Sequence, residues 1–66
     1  MLNLHVTGMT CGHCEAAVTR AIHAVDPAAA VTVDRAAERV TVDSAADPAT
    51  VQRAVEDEGY GATLAA

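Results

Sequence analysis

The fold is decided by the segment VTVDRAAERVTVD, which runs from Val31 to Asp43. Valine alternates with polar residues at both ends of this segment, and such alternation is typical of strands that bury one face. The residues between the two runs, 34–38, are mostly polar or small and are predicted to form a turn. Two strands joined by so short a connection predict a β-hairpin.

Upstream of the hairpin, the pattern predicts a strand followed by a helix. Apolar and polar residues alternate over residues 2–7, as in a strand with one buried face. From about Gly12 the apolar residues fall three and four positions apart, which is the spacing of one helix face: Val18, Ala21, Ile22 and Val25. Asp26-Pro27 ends this helix, because the residue before a proline is disfavoured in the α conformation.

Downstream of the hairpin, a second helix and a last strand follow. Asp47 is suited to cap a helix N-terminus, and Pro48 is suited to the first helical position. The apolar face of this helix comes from Val51, Ala54 and Val55, and Gly59 is a typical residue just past a helix end. A short strand around residues 62–64 closes the chain.

The order strand, helix, strand, strand, helix, strand predicts an α+β fold, the ferredoxin-like βαββαβ sandwich, with a four-stranded antiparallel sheet and two helices on one face. The 66 residues are expected to form a single domain, 1–66. The alternation predicts which side chains face the helices: Leu2, Leu4, Val6, Val31, Val33, Val40, Val42 and Leu64. It predicts an outward position for another set: Asn3, His5, Thr32, Thr41 and Asp43.

The composition excludes several classes of function. Alanine and valine dominate the apolar residues, and Tyr60 is the only aromatic residue, so a deep apolar pocket for an organic substrate is not expected and the chain is not predicted to be an enzyme. Nine acidic residues oppose four dispersed arginines, for a net charge of -5, which argues against a nucleic-acid partner. No apolar run approaches the roughly 20 residues that span a bilayer, so membrane insertion is not expected.

The compartment bears on the two cysteines. The N-terminus has no basic stretch followed by an apolar stretch, so no signal peptide is predicted and a cytoplasmic location is expected. In that compartment a pair of cysteines more often serves as metal ligands or as a redox couple than as a structural disulfide.

Chemistry is concentrated in Cys11-Gly12-His13-Cys14, between the first strand and the first helix. Two thiols at a helix N-terminus lie in a positive field that favours the thiolate form, and thiolates are soft ligands that prefer soft metals such as Cu(I). A structural zinc site would need four ligands, and covalent haem attachment would need a histidine where Glu15 stands. A dithiol redox protein remains an alternative of a different class.

The segment Gly8-Met9-Thr10-Cys11-Gly12-His13-Cys14 resembles the G-M-x-C-x-x-C motif of heavy-metal-associated domains, and Gly59-Tyr60-Gly61-Ala62 resembles the G-Y-x-A segment before the last strand of that family. The resemblance implies a bacterial copper(I) chaperone of the CopZ type. In this reading Cys11 and Cys14 bind one Cu(I) as a near-linear bis-thiolate. The metal then passes to the metal-binding domain of a copper-transporting P-type ATPase by ligand exchange. A detached N-terminal domain of such an ATPase and a mercury- or zinc-binding relative are the alternatives.

Three further residues are candidates for an auxiliary role at this site. His13 is expected to face solvent, where it could supply a nitrogen ligand at a contact between two copies. The resemblance places Tyr60 beside the thiols, whereas Met9 is expected to pack under the loop rather than to bind metal. His5 and His23 are expected to be solvated surface residues, and the metal-free protein is expected to be a monomer that forms a homodimer when loaded with copper.

Overall fold

The computed structural model describes residues 2–65, which form six elements of secondary structure. In chain order these are β1 (Leu2–Thr7), α1 (Gly12–Val25), β2 (Ala30–Asp34), β3 (Arg39–Asp43), α2 (Pro48–Asp57) and β4 (Gly61–Ala65). The predicted βαββαβ order is confirmed. No helix within the described range is long and apolar enough to cross a membrane.

The four strands form one sheet in the order β2-β3-β1-β4, and every neighbouring pair is antiparallel. Leu4 of the central strand β1 lies opposite Val40 of β3 and opposite Leu64 of β4. This register places the end of β1 beside the start of β3 and the start of β4. Three connections therefore meet at one end of the sheet: residues 8–11, 35–38 and 58–60.

Both helices cover the same face of the sheet. The buried apolar side chains of strands and helices form one cluster, as expected for helices packed on a single face: Leu4, Val6, Val18, Ile22, Ala29, Val40, Val42, Val51, Val55 and Ala62. The predicted ferredoxin-like α+β sandwich is confirmed. Its core is built from small and branched aliphatic side chains.

Local residues fix the helix boundaries where the sequence predicts them. α1 ends at Val25, and the Asp26 N–H donates to the Ile22 carbonyl, 3.0 Å away. At the start of α2, the Asp47 side chain accepts a hydrogen bond from the Ala49 N–H at 3.3 Å. Gly59 follows α2 with a φ of 97°, a left-handed conformation that glycine adopts without strain.

Leu64 faces the helix-covered side of the sheet as predicted, but it is not buried. Its partner in the register, Leu4, is fully buried, so Leu64 points toward the helix-covered face, but it lies near the end of an edge strand and remains exposed. Leu2, Val31 and Val33 are half-buried for a related reason, since each lies at the margin of the sheet.

Candidate metal centre

The two cysteines lie on the first turn of α1. Cys11 is the N-cap residue, with an extended backbone conformation, and its side chain makes no capping hydrogen bond. The Cys14 N–H donates to the Cys11 carbonyl oxygen at 3.1 Å, which closes the turn. As a result the two Sγ atoms are 3.8 Å apart, next to the positive end of the helix dipole. We refer to residues 8–14 as the metal loop.

Both thiols are free, and solvent reaches them. Cys11 is exposed and Cys14 is half-buried. A side chain added at Gly12, between them, would meet nothing within 4 Å, so the space beside the thiols is open. Another protein can therefore reach these sulfur atoms directly.

Hydrogen bonds lower the pKa of the Cys14 thiol from 9.0 to about 6. The largest cause is a hydrogen bond with the Tyr60 side chain, followed by bonds with the backbone and side chain of Thr10 and with the Cys11 backbone, whereas partial desolvation acts in the opposite direction. The same contact with Cys14 raises the pKa of Tyr60. The lowered pKa favours the thiolate form of Cys14 at neutral pH, and Tyr60 is the largest contributor to it.

The loop after α2 brings Tyr60 to the metal loop. Its ring is half-buried against the core and lies over Gly8, where an added Cβ would be 3.5 Å from Tyr60 Cδ1. Gly8 has a φ of 92°, in the left-handed region that glycine tolerates. Tyr60 thus joins the core, the metal loop and the Cys14 sulfur.

Sequence reasoning did not assign a hydrogen bond to Thr10. Its hydroxyl oxygen lies 3.8 Å from Cys14 Sγ. The sequence carried no clear signal for this contact, because Thr10 precedes the N-cap residue Cys11 and lies outside the helix. Thr10 is nonetheless one of the contacts that lower the pKa of Cys14.

The other candidate residues differ in their exposure and in their contacts. Met9 is half-buried and packs against the hydrophobic core, while His13 is exposed. His5 is exposed on the outer face of the sheet, 3.6 Å from a Glu38 carboxylate oxygen. The prediction that His23 is a solvated residue is wrong, because its Nε2 is half-buried and 2.9 Å from the Ala29 carbonyl oxygen, to which it donates.

An ion pair flanks the site. Arg35, in the turn between β2 and β3, donates through Nε to the Glu15 carboxylate at 2.7 Å. Glu15 directly follows Cys14, so the pair joins the first turn of α1 to the connection between β2 and β3.

The donor set fits a soft metal ion bound by two ligands. Within residues 2–65, no group of three or more His, Cys, Asp and Glu side chains is arranged to hold a metal, so the four ligands of a structural zinc site are not present there. Zinc–sulfur bonds are about 2.3 Å long, so two thiolates on opposite sides of an ion of similar size would have their sulfur atoms roughly 4.6 Å apart. The observed separation is 3.8 Å, so linear coordination would require the two sulfur atoms to move apart.

Three solved structures are closely similar to the chain. Copper chaperone Atx1 from Synechocystis PCC6803 superposes with a TM-score of 0.90 at 30% identity, covering 96% of this chain and 100% of that one. A copper binding domain from HMA7, a P-type ATPase, gives a TM-score of 0.89 at 26% identity, covering 98% and 92%. A gold binding protein gives a TM-score of 0.92 at 26% identity, covering 98% and 100%.

Sequence comparison identifies the family. The profile of the heavy-metal-associated domain matches residues 3–61. No curated protein sequence is significantly similar to the chain. Heavy-metal-associated domains and the copper proteins above are modules that bind or carry metal ions. Since the profile spans most of the sequence and includes both cysteines, the chain belongs to the heavy-metal-associated domain family.

Proposed function

We propose that this protein is a cytoplasmic copper(I) chaperone, which carries one Cu(I) between Cys11 and Cys14. The observation that carries the proposal is an exposed pair of thiols, 3.8 Å apart at a helix N-terminus, with no third metal-ligating side chain grouped with them in the described range. Thiolates select Cu(I), and two ligands satisfy this ion without a closed cage. The structural similarity to a copper chaperone supports the proposal.

The proposed hand-off is an exchange of thiolate ligands. A thiolate of the acceptor attacks the two-coordinate Cu(I) from the open side of the metal loop and forms a three-coordinate intermediate. One cysteine of this chain then leaves, and a second acceptor thiolate replaces the other. Copper is neither oxidised nor reduced. Because the pKa of Cys14 is about 6, this residue needs no proton to leave as a thiolate at neutral pH.

The acceptor in this proposal is the metal-binding domain of a copper-transporting P-type ATPase. The observation that favours it is the similarity of this chain to a copper binding domain from such an enzyme, since donor and acceptor would present the same pair of thiols on the same fold. The same similarity supports a second candidate, in which the chain itself acts as an ATPase metal-binding domain that receives copper.

Ligand substitution tests the metal site. Cys11→Ser and Cys14→Ser should each weaken Cu(I) binding by several orders of magnitude, measured by competition with a chromophoric Cu(I) chelator. Circular dichroism should be unchanged, because neither residue belongs to the core. His5→Ala removes a possible ligand on the outer face of the sheet and is the matched control. A single-cysteine variant that competes as well as the parent would contradict the bis-thiolate site.

Two further measurements separate the alternatives. Competition between Cu(I) and Zn(II) should favour Cu(I) strongly. Parallel titrations with Hg(II) and gold(I) rank the affinities for other soft ions, which are relevant because one similar structure is a gold binding protein.

The low pKa of Cys14 also suits a dithiol redox protein. Turnover in an insulin disulfide reduction assay would support that class, whereas transfer of Cu(I) to a C-x-x-C acceptor faster than through a free chelator supports the chaperone.

A further inference from the structure

The strand β4 forms an open edge of the sheet. The Val6 N–H donates to the Glu38 carbonyl at 2.8 Å, so the peptide groups of Val6 point toward β3. Ala62 lies opposite Val6 on the β4 side, and its own peptide groups must therefore point away from β1, toward the open edge. By the alternation along a strand, the N–H and C=O of Leu64 also point outward.

This edge lacks the features by which proteins commonly prevent strand addition. Residues 61–65 contain no charged residue and no proline, and their register with β1 is uninterrupted by a bulge. Leu64 is the one large apolar side chain among residues 2–65 that is exposed, at 42%. The opposite edge strand, β2, by contrast ends in Asp34.

One side chain does reach the edge. Gln52, half-buried on α2, donates through Nε2 to the Ala62 carbonyl oxygen at 2.8 Å. This oxygen is one of the outward acceptors that a further strand would use. The amide of Gln52 thus occupies the acceptor in the middle of an otherwise uncapped edge.

We propose that Gln52 is an edge cap, which prevents β4 from pairing with β4 of a second copy of the chain. An antiparallel pair with its two-fold axis at Thr63 would place Ala62 of one copy opposite Leu64 of the other, as hydrogen-bonded partners. The small alanine leaves room for the leucine, and the seam contains no charge. Each of the two hydrogen-bonded Ala62–Leu64 pairs uses the Ala62 carbonyl oxygen of one copy as an acceptor. Gln52 occupies this oxygen in the monomer.

The net charge of the chain is a second, weaker restraint. Two copies at -5 each repel one another, and salt screens that repulsion. Once the cap is removed, pairing through β4 should therefore strengthen as ionic strength rises.

The test is the self-association of metal-free protein, kept in reductant and chelator so that the metal loop takes no part. Gln52→Ala should tighten dimerisation on the order of 30-fold in sedimentation equilibrium, since both copies lose a cap and one net hydrogen bond is equivalent to about fivefold. Backbone amide exchange locates the contact: the Leu64 N–H should be protected in the variant at high concentration and exchange freely when dilute.

Matched lysine substitutions on the two edge strands show which edge forms the dimer contact. Adding Leu64→Lys to Gln52→Ala should restore the monomer, whereas Thr32→Lys on the opposite edge strand should leave the dimer intact. If the Gln52→Ala variant is folded by circular dichroism but stays as monomeric as the parent, the proposal is overturned. A dimer that Leu64→Lys does not disrupt, or in which the Leu64 amide remains unprotected, would overturn it as well.

Discussion

The two thiols of the metal loop have different surroundings. The Thr10 hydroxyl lies 3.8 Å from Cys14 Sγ, and the pKa of Cys14 is lowered to about 6, with Tyr60 as the largest cause. Cys11 is exposed at the N-cap and makes no capping bond. A pair with one hydrogen-bonded sulfur and one exposed sulfur is suited both to retaining a metal ion and to admitting an incoming ligand.

The role of Tyr60 can be measured through the pKa of Cys14. Removing the hydroxyl in Tyr60→Phe should raise that pKa from about 6 toward 9.0, because the largest stabilising bond to the thiolate is lost. The change is measured as the pH dependence of alkylation in a Cys11→Ser background, where only Cys14 reacts. The midpoint of the pH–rate profile should shift to higher pH in the variant. Superimposable pH profiles would mean that Tyr60 does not stabilise the thiolate.

At the level of residues, the local motif indicated the two cysteines, whose role as metal ligands stays a prediction. Cys11 and Cys14 stand out by their spacing, and the resemblance places Tyr60 beside them. The pattern did not give the burial of Leu64 or the hydrogen bond of His23. Leu64 fits the inward alternation but lies beyond the cover of the helices, and the hydrogen bond of His23 depends on a carbonyl six residues away.

At the scale of the element, the start of α1 depends on two glycines with opposite requirements. Gly8 has a left-handed φ of 92° beneath the Tyr60 ring, whereas Gly12 is the first residue of the helix and has open space where a side chain would project. The same substitution should therefore have opposite effects at two positions on either side of Cys11.

Gly8→Ala should destabilise the metal-free protein by about 1–2 kcal/mol, the cost of a left-handed conformation for a residue with a Cβ. Gly12→Ala should stabilise it by up to about 1 kcal/mol, because alanine loses less backbone entropy on folding. Urea unfolding followed by circular dichroism measures both. If the two substitutions change the free energy of unfolding equally, the left-handed conformation of Gly8 is contradicted.

The turn between β2 and β3 contains a strained residue. Glu38 has a φ of 54°, although it is not glycine, and its carbonyl accepts the Val6 N–H at 2.8 Å. Glu38→Gly should raise the free energy of unfolding by up to about 1 kcal/mol through relief of this strain. Glu38→Ala is the control, since it removes the same carboxylate but keeps a Cβ. If thermal denaturation finds the alanine variant as stable as the glycine variant, strain at this position is not significant.

The elements themselves were predictable from periodicity, and their ends were predictable from capping residues. β1 and α1 begin and end where the sequence predicts, and α2 begins where it predicts. The end of α1 and the start of α2 were predictable because Pro27, Asp47 and Pro48 act locally. The strain at Glu38 was not predictable, since the sequence carries no glycine at the position where the turn needs one.

At the scale of the molecule, the strand order explains why the site lies at one end. With β1 in the middle of the sheet, the metal loop at its end lies between the turn after β2 and the loop after α2. Arg35 comes from the first of these connections and Tyr60 from the second. The fold thus brings parts of the chain that are distant in sequence around two cysteines that are close in sequence.

That same end of the molecule is open to a second copy. His13 is exposed between the two cysteines, and a bis-thiolate Cu(I) has room for a further ligand. We therefore expect a monomer without metal and a dimer at excess Cu(I), in which His13 supplies a nitrogen ligand or a hydrogen bond to sulfur across a two-fold axis. His13→Ala should leave the binding of the first Cu(I) nearly unchanged and weaken the loaded dimer, with His5→Ala as the control. Sedimentation velocity at stepped ratios of copper to protein measures this, and identical curves for His13→Ala and the parent would leave His13 without a role in assembly.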